Sequence, residues 1–296
     1  MLNLKQTSTF HLKDLLSGIV VFLVALPLCL GIALASGAPI MAGIIAGIVG
    51  GIVVGALSGS HISVAGPAAG LSAVILMQLE QLGGNYAAFL LSVIFAGLLQ
   101  LLFGIFKLGF FANFVPNNVI LGLLAAIGVI LILSQLPYLF GIADFSWRQL
   151  PELSMAQIDP IAAGIGVLSV LVMLAWDASP LKKLLLPSAL IAVLLAAVIN
   201  VLLSSYLGLS IQHQNLIQLP NVLANPSGML MLPDWSYLAE PLIYSGAITL
   251  AVVASLETLL NLEAADKLDP YKRASPPNRE LWAQGVGNMA SGFIGG

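Results

Sequence analysis

Ser63-Val64-Ala65-Gly66-Pro67-Ala68-Ala69-Gly70 opens an apolar stretch that continues to residue 82. Ser63 to Ala65 are small or β-branched, and a Gly-Pro pair follows them. Proline lacks an N–H and presets the first turn of a helix, so the pattern puts Pro67 at the first helical position. Such a helix begins inside the apolar stretch. At that depth a bilayer tolerates unpaired backbone only where protein or a water-filled cavity covers it. The free N–H groups of a half-helix carry a partial positive charge that can hold an anion. The same residues also read as a Gly-Pro kink in an ordinary span, and taken alone they leave both readings open.

The composition says what surrounds this segment. Of 296 residues, 59% are apolar and 8% charged, with mean hydropathy +1.03. Soluble domains run at about 25% charged and about 45–50% apolar. Disorder, nucleic-acid binding and a disulfide-built secreted scaffold are excluded. The single Cys29 cannot form an internal disulfide, and a net charge of −3 implies no charged partner. The fold class is an all-α polytopic membrane protein embedded in the lipid bilayer. Its 29 Gly and 16 Pro fit helices that pack closely or break.

About 20 apolar residues cross a bilayer. The apolar runs predict spans at 15–36, 41–58, 63–82, 86–106, 117–136, 158–176, 184–204 and 242–262, and a last one starting near Leu281. The first follows a short polar N-terminus (1–14) with no small-residue cleavage site, so it reads as a span and not a signal peptide. An inside N-terminus places Lys5, Lys13, Lys107, Lys182, Lys183, Lys267, Lys272, Arg273 and Arg279 on one side and only Arg148 on the other. That is the positive-inside pattern, with a cytoplasmic N-terminus and a multi-pass chain in the cell's inner (plasma) membrane. Segment 205–241 lies outside and carries no Lys or Arg. The last residues, GVGNMASGFIGG (285–296), have no polar tail, and the expectation is a fragment of a longer transporter.

Glu257 stands in the apolar run 248–263. An acidic group at the membrane centre costs about 2.5–3.5 kcal/mol on insertion scales, so such residues usually line a cavity. Asn261, four residues on, shares its helix face, and Ser255 and Thr258 add hydroxyls nearby. A structural hydrogen bond to another helix is the alternative. Glu263 and Asp266, beside Lys267, read as interfacial charges. Gly31, Ala35, Gly43, Gly47, Gly50, Gly51 and Gly55 read as a surface for close packing, and Pro27 as a kink. His61 and His213 have no metal-ligand partners at sensible spacing. No triad or acid–base set is visible, so the chain does not read as an enzyme, and no cofactor is expected.

A family resemblance attaches to these residues. Leu26-Pro27-Leu28-Cys29-Leu30-Gly31-Ile32-Ala33 with Ser36-Gly37-Ala38-Pro39 resembles the first span of the SulP sulfate permease family. Residues 59–69, Gly-Ser-His-Ile-Ser-Val-Ala-Gly-Pro-Ala-Ala, are similar to its third-span signature. Glu257-Thr258-Leu259-Leu260, Ala264-Ala265-Asp266-Lys267, Asn278-Arg279-Glu280-Leu281 and Gln284-Gly285-Val286-Gly287-Asn288 resemble its eighth span and the loop after it.

The resemblance implies the first part of a fold of seven plus seven helices in inverted repeats, with a short extended segment and half-helix in span three. Spans one to four (15–106) and eight onward (242–296) would belong to a core domain. Spans five to seven (117–204) would belong to a gate domain, and 205–241 would be an extracytoplasmic loop. Span ten, the second half of the gate and a STAS domain would lie beyond this sequence. The resemblance also implies a homodimer at full length. Carried over residue by residue, the anion pocket falls on Leu28, Ile32, Ser63, Ala65, Gly66, Ala68 and Ala69, and the coupling cation on Glu257 and Asn261. Leu28 stands where many relatives have Gln, and Ala68 where some have Phe. The implied function is secondary transport of a small inorganic anion, bicarbonate or sulfate, coupled to Na⁺ or H⁺. A nucleobase permease of the same architecture and a non-transporting scaffold or sensor are the alternatives.

Overall fold

A computed structural model describes residues 12–110, 117–142, 158–180, 188–209, 211–212, 216 and 230–296. Every regular element among them is helical. Lys5, Arg148, Lys182, Lys183, His213 and, within 205–241, residues 210, 213–215 and 217–229 lie outside the described residues. The chain divides into two compact units: Met1–Pro27 with Leu136–Ile217, and Leu28–Gln135 with Gln218–Gly296. Two of the dividing points fall inside helices α1 (Leu12–Ala35) and α6 (Asn117–Leu139). Among the described residues, six helical stretches are long and apolar enough to cross a membrane: Ser17–Ala35, Ile40–Leu57, Tyr86–Ile105, Pro160–Ala178, Ser188–Leu207 and Pro241–Leu268.

Local chemistry sets the helix ends. α1 runs through Pro27 and stops where Gly37 takes a positive φ of 66°, with Ser36 Oγ returning to the Ile32 carbonyl. α2 (Ile40–Val49) follows Pro39 and widens into a π-turn, Gly50–Val54, before the short α3 (Gly55–Leu57). Chain 58–68 has no helix. A 3₁₀ turn, Ala69–Leu71, leads into α4 (Ser72–Gln81). Ten helical residues rise about 15 Å, half of the hydrocarbon thickness, so α4 is a half-span. Asn85 caps α5 (Tyr86–Ile105) by accepting the Ala88 N–H at 3.1 Å.

α5 is the axis of the larger unit. Leu90, Leu91, Ser92 and Gln100 have no exposed surface. Inside a membrane apolar surface gains little by leaving lipid, so helices associate through close van der Waals packing of small residues. Accordingly α5 lies directly on α10 (Pro277–Ile294). A Cβ on Gly97 would stand 2.7 Å from the Gly285 carbonyl oxygen, and one on Gly104 would stand 2.6 Å from the Trp282 nitrogen. Gly285 and Gly292 answer from α10, against Leu101 and Ile94. α9 (Pro241–Leu268) packs on another side of α5, with Ala247, Leu250 and Ala251 in one buried cluster with Leu79, Phe89 and Leu90. Three polar side chains are linked there, Gln100 and Ser255 buried and Asn288 half-buried: Asn288 donates to Gln100 Oε1, and Gln100 Nε2 donates to Ser255 Oγ at 3.4 Å.

The small-residue surface expected on the opening helices holds only in part. Gly43 and Gly47 lie against Cys29 of α1, and Gly50 against the Ala65 carbonyl. Gly31 and Gly51 face open space, and Gly55 meets nothing closer than 3.8 Å. Glycine is required where backbone faces backbone, and those three positions do not.

In the smaller unit, α7 (Pro160–Ala178) pairs with α8 (Ser188–Leu207). Asp159 caps α7 through the Ile161 and Ala162 N–H groups and also accepts the Gln212 N–H. Ile165 and Ala192 are the helix residues buried there, while Leu171, Leu174 and Val201 are exposed as lipid-facing residues would be.

Candidate functional site

The larger unit contains a break in the third apolar stretch. Pro67 disfavours the helical region for Gly66, and chain 58–68 forms no helix, with a bend at His61 and Ile62. Pro67 is not the first helical residue. Ala68 remains extended (φ −98°, ψ 117°) and the 3₁₀ turn begins at Ala69. The helix starts where an acceptor is present: the Gly70 N–H donates to Glu257 Oε1 of α9 at 3.3 Å. Leu71 N–H turns back to the Ala68 carbonyl, and Ser72 Oγ donates to the Ala69 carbonyl. The two features singled out in the sequence, the Gly-Pro segment and the intramembrane acid, therefore meet.

Glu257 is half-buried, and its second oxygen, Oε2, is shielded and without a hydrogen-bond partner among the described residues. An acceptor left open in such a place is costly in a water-poor medium. It is also the donor a cation or proton requires. Asn261, one turn further, is exposed. Ser255 does not join this site, because its hydroxyl faces α5 and accepts from Gln100. No cluster of three or more His, Cys, Asp or Glu able to hold a metal exists among the described residues.

The candidate pocket residues divide by exposure. Ile32 is buried, while Leu28, one turn earlier, is 55% exposed, so the two do not present a common buried wall. Ser63 and Gly66 are exposed, and Ala65, Ala68 and Ala69 are half-buried. The Ala65 carbonyl lies against Gly50 in the π-turn, where a Cβ would come within 2.6 Å of it. π-turns concentrate at functional sites, and here the widened turn lets the extended chain pass.

In the last turns of α9, Glu263 pairs with Lys267 at 2.8 Å on an exposed face, as an interfacial pair would. Asp266 does more than expected: it receives both the N–H and the hydroxyl of Ser275. Asp269 is held by the Arg273 guanidinium and by the backbone N–H groups of Tyr271 and Arg273. Those donors, Arg273 first, keep its carboxyl well below the usual carboxylate range. Spacing does not reveal the buried polar residues Gln100 and Glu280, or Asn288, the half-buried partner of Gln100. A polar residue inside an apolar or Gly-rich helix was the signal available.

The sulfate permease family model matches residues 12–296. YvdB of Bacillus subtilis (strain 168), whose name marks it as a candidate sulfate transporter, is 29% identical over 96% of this chain and 53% of its own length. The bicarbonate transporter BicA of Picosynechococcus sp. (strain ATCC 27264 / PCC 7002 / PR-6) is 26% identical over 98% of this chain and 52% of its own. Among solved structures, the transmembrane domain of a cyanobacterial bicarbonate transporter BicA superposes with TM-score 0.78 at 26% identity, covering 96% of this chain and 72% of that one. The chain spans about half the length of the curated relatives it matches. With a match that runs from α1 through the half-helix and Glu257 to the last residue of α10, the chain belongs to the sulfate permease family.

Proposed function

We propose that the protein is a secondary transporter of a small inorganic anion, bicarbonate or sulfate, working by alternating access and coupled to Na⁺ or H⁺. It would sit in the inner membrane with its N-terminus in the cytoplasm. The observation that carries the reading is the Gly70 N–H to Glu257 contact, together with the open Oε2. A helix N-terminus is equivalent to about half a positive charge and favours an anion by about 0.3–1 kcal/mol when exposed, up to about 2 when partly buried. A carboxylate standing against that terminus cancels much of the attraction. When Na⁺ or H⁺ takes Oε2, the terminus regains its positive end and Ala68 and Ala69 present it to the anion. Cation and anion then favour each other's binding, and the coupling is reciprocal. Asn261 offers a further carbonyl oxygen, a ligand type that suits Na⁺. Binding of this kind is weak, as a carrier that must also release requires. The names of the relatives supply the candidate anions.

The test is radiolabelled bicarbonate and sulfate uptake by the full-length protein in liposomes, with Na⁺ and pH gradients imposed separately. Wild type is expected to accumulate one of the anions only with a gradient. Glu257→Gln keeps size and removes charge, and it should abolish the gradient dependence and cut accumulation at least about tenfold. Unchanged uptake with unchanged ion dependence would remove Glu257 from the site.

A further inference from the structure

Glu280, in the first turn of α10, is 3% exposed and has no part in the transport cycle proposed for Glu257 and the half-helix. Its surroundings are built. Oε1 accepts from Gln284 Nε2 at 3.0 Å, and Oε2 accepts the hydroxyl of Ser58, the residue that closes α3. Ser58 Oγ in turn accepts the Ser60 N–H at 3.1 Å, and Ser60 Oγ accepts the Ser63 N–H at 3.2 Å. Next to it, Arg279 Nε donates to the Leu57 carbonyl at 2.8 Å. Gly59 lies so close to Pro276 that a Cβ there would meet its ring at 2.5 Å. Residues 276–280, at the start of α10, thus grip residues 57–59 from several directions.

The gripped residues lead directly into the extended chain. After Ser58, whose N–H still bonds to the Val54 carbonyl, the chain to Ala68 is outside any helix, so its path is set by its two ends and by the Gly50 contact. Glu257 fixes the far end through Gly70. Glu280 fixes the near end. A carboxylate suits the position better than an amide, since it accepts on both oxygens and lies in the first turn of a helix, where negative charge is favoured. We propose that Glu280 is a positioning residue for the anion site: through Ser58 its buried carboxylate fixes where the extended chain bearing Ser63, Ala65 and Gly66 begins. The proposal rests on the transport reading for its effect on affinity, but not for its effect on the segment itself.

Two readouts separate these. In full-length protein, Glu280→Ala and Ser58→Ala should each raise the KM for the transported anion about tenfold, the scale of a lost hydrogen bond to a charged group. The double variant should be no worse than Glu280→Ala alone, because the two remove one shared interaction. Hydrogen–deuterium exchange should quicken in 58–68 and stay unchanged in α5. A residue that merely stabilises the fold would lower yield and melting temperature and leave KM and local exchange as they were. Ser58→Ala keeps the carboxylate and its Gln284 partner, so it carries the test if Glu280→Ala fails to fold. Unchanged exchange in 58–68 in folded Ser58→Ala, or effects of the two substitutions that multiply, would overturn the anchor. If wild type moves neither bicarbonate nor sulfate, the transport reading fails, and the exchange data still decide the anchor.

Discussion

Helix α5 and segment 58–81 occupy apolar stretches of similar length and solve the backbone problem in opposite ways. α5 runs 20 residues without a break, so its interior N–H and carbonyl groups bond within the helix. It can therefore use bare glycine faces to lie against α10. Segment 58–81 gives eleven residues of extended chain before a turn and ten residues of helix. Its backbone needs partners outside a helical ladder, and they are polar side chains: its own Ser58 and Ser60 at one end, Glu257 of α9 at the other. Unpaired backbone in hydrocarbon costs several kcal/mol per group. The continuous helix is thus free to be the rigid support, and the broken one can present backbone to a ligand.

The largest effect should come from breaking the support. Gly97→Leu drives a side chain into the α10 backbone at Gly285 and Met289. Backbone cannot step aside as a side chain can, so a loss of about 3 kcal/mol or more is expected, at or above the upper range for overpacking. Detergent-extracted protein should lose its monodisperse size-exclusion peak. Gly31→Leu, which faces open space, should keep it. Equal behaviour of the two variants would mean that α5 and α10 are not held by this contact.

The second effect concerns the broken segment, and should spare folding while removing function. Ala68 is half-buried beside the helix start at Ala69. Ala68→Asp places a second negative charge at a terminus that Glu257 already occupies, and should abolish anion binding, a drop of at least about a hundredfold. Ala68→Ser adds a donor with little bulk and should bind within about threefold of wild type. Calorimetric titration of bicarbonate and sulfate into folded protein compares them. Wild-type affinity in Ala68→Asp would show that the Gly66-Pro67 pair is only a kink.

Much of this architecture is readable from the residues alone. The apolar runs coincide with the long helices, and Gly66-Pro67 locates the break, because proline chemistry is local. The helix start differs from the sequence expectation by two residues for a non-local reason: it depends on where Glu257 arrives from another helix. Ser255 belongs to a different neighbourhood from the one its spacing suggests for the same cause, since which side of α9 faces α5 is set by Gln100 and Asn288. Gly97, Gly104, Gly285 and Gly292 carry the tightest packing, yet each looks like any other glycine until its opposite number is known. Glu280 sits beside Pro277 and Arg279, a context that resembles an exposed loop and conceals its burial. Local chemistry is legible in the chain, and partnership between distant helices is not.

The smallest effect tests the meeting point of the two designs, the π-turn that the extended chain crosses. Gly50 and Gly51 are adjacent and equally small, yet their surroundings differ. A Cβ at Gly50 would lie 2.6 Å from the Ala65 oxygen and 2.9 Å from the Gly66 nitrogen, whereas one at Gly51 meets nothing within 4 Å. Both glycines have helical neighbours, so alanine at either removes a glycine penalty of roughly 1 kcal/mol. At Gly51 that gain should stand alone, raising the melting temperature by a degree or more. At Gly50 it is opposed by displacement of the extended chain, so the melting temperature should fall or stay level. Because the obstacle at Gly50 is chain 65–66 and not a rigid helix, the displaced backbone should show itself in ligand affinity more than in stability. Melting curves of Gly50→Ala and Gly51→Ala, each with and without 50 Kd of the transported anion, would give stabilisation by the ligand of about RT ln 51, or about 2.3 kcal/mol, for Gly51→Ala. Gly50→Ala should give distinctly less at the same anion concentration. Equal ligand stabilisation in the two would mean that the extended chain does not need Gly50 to reach its place, and that the site tolerates its movement.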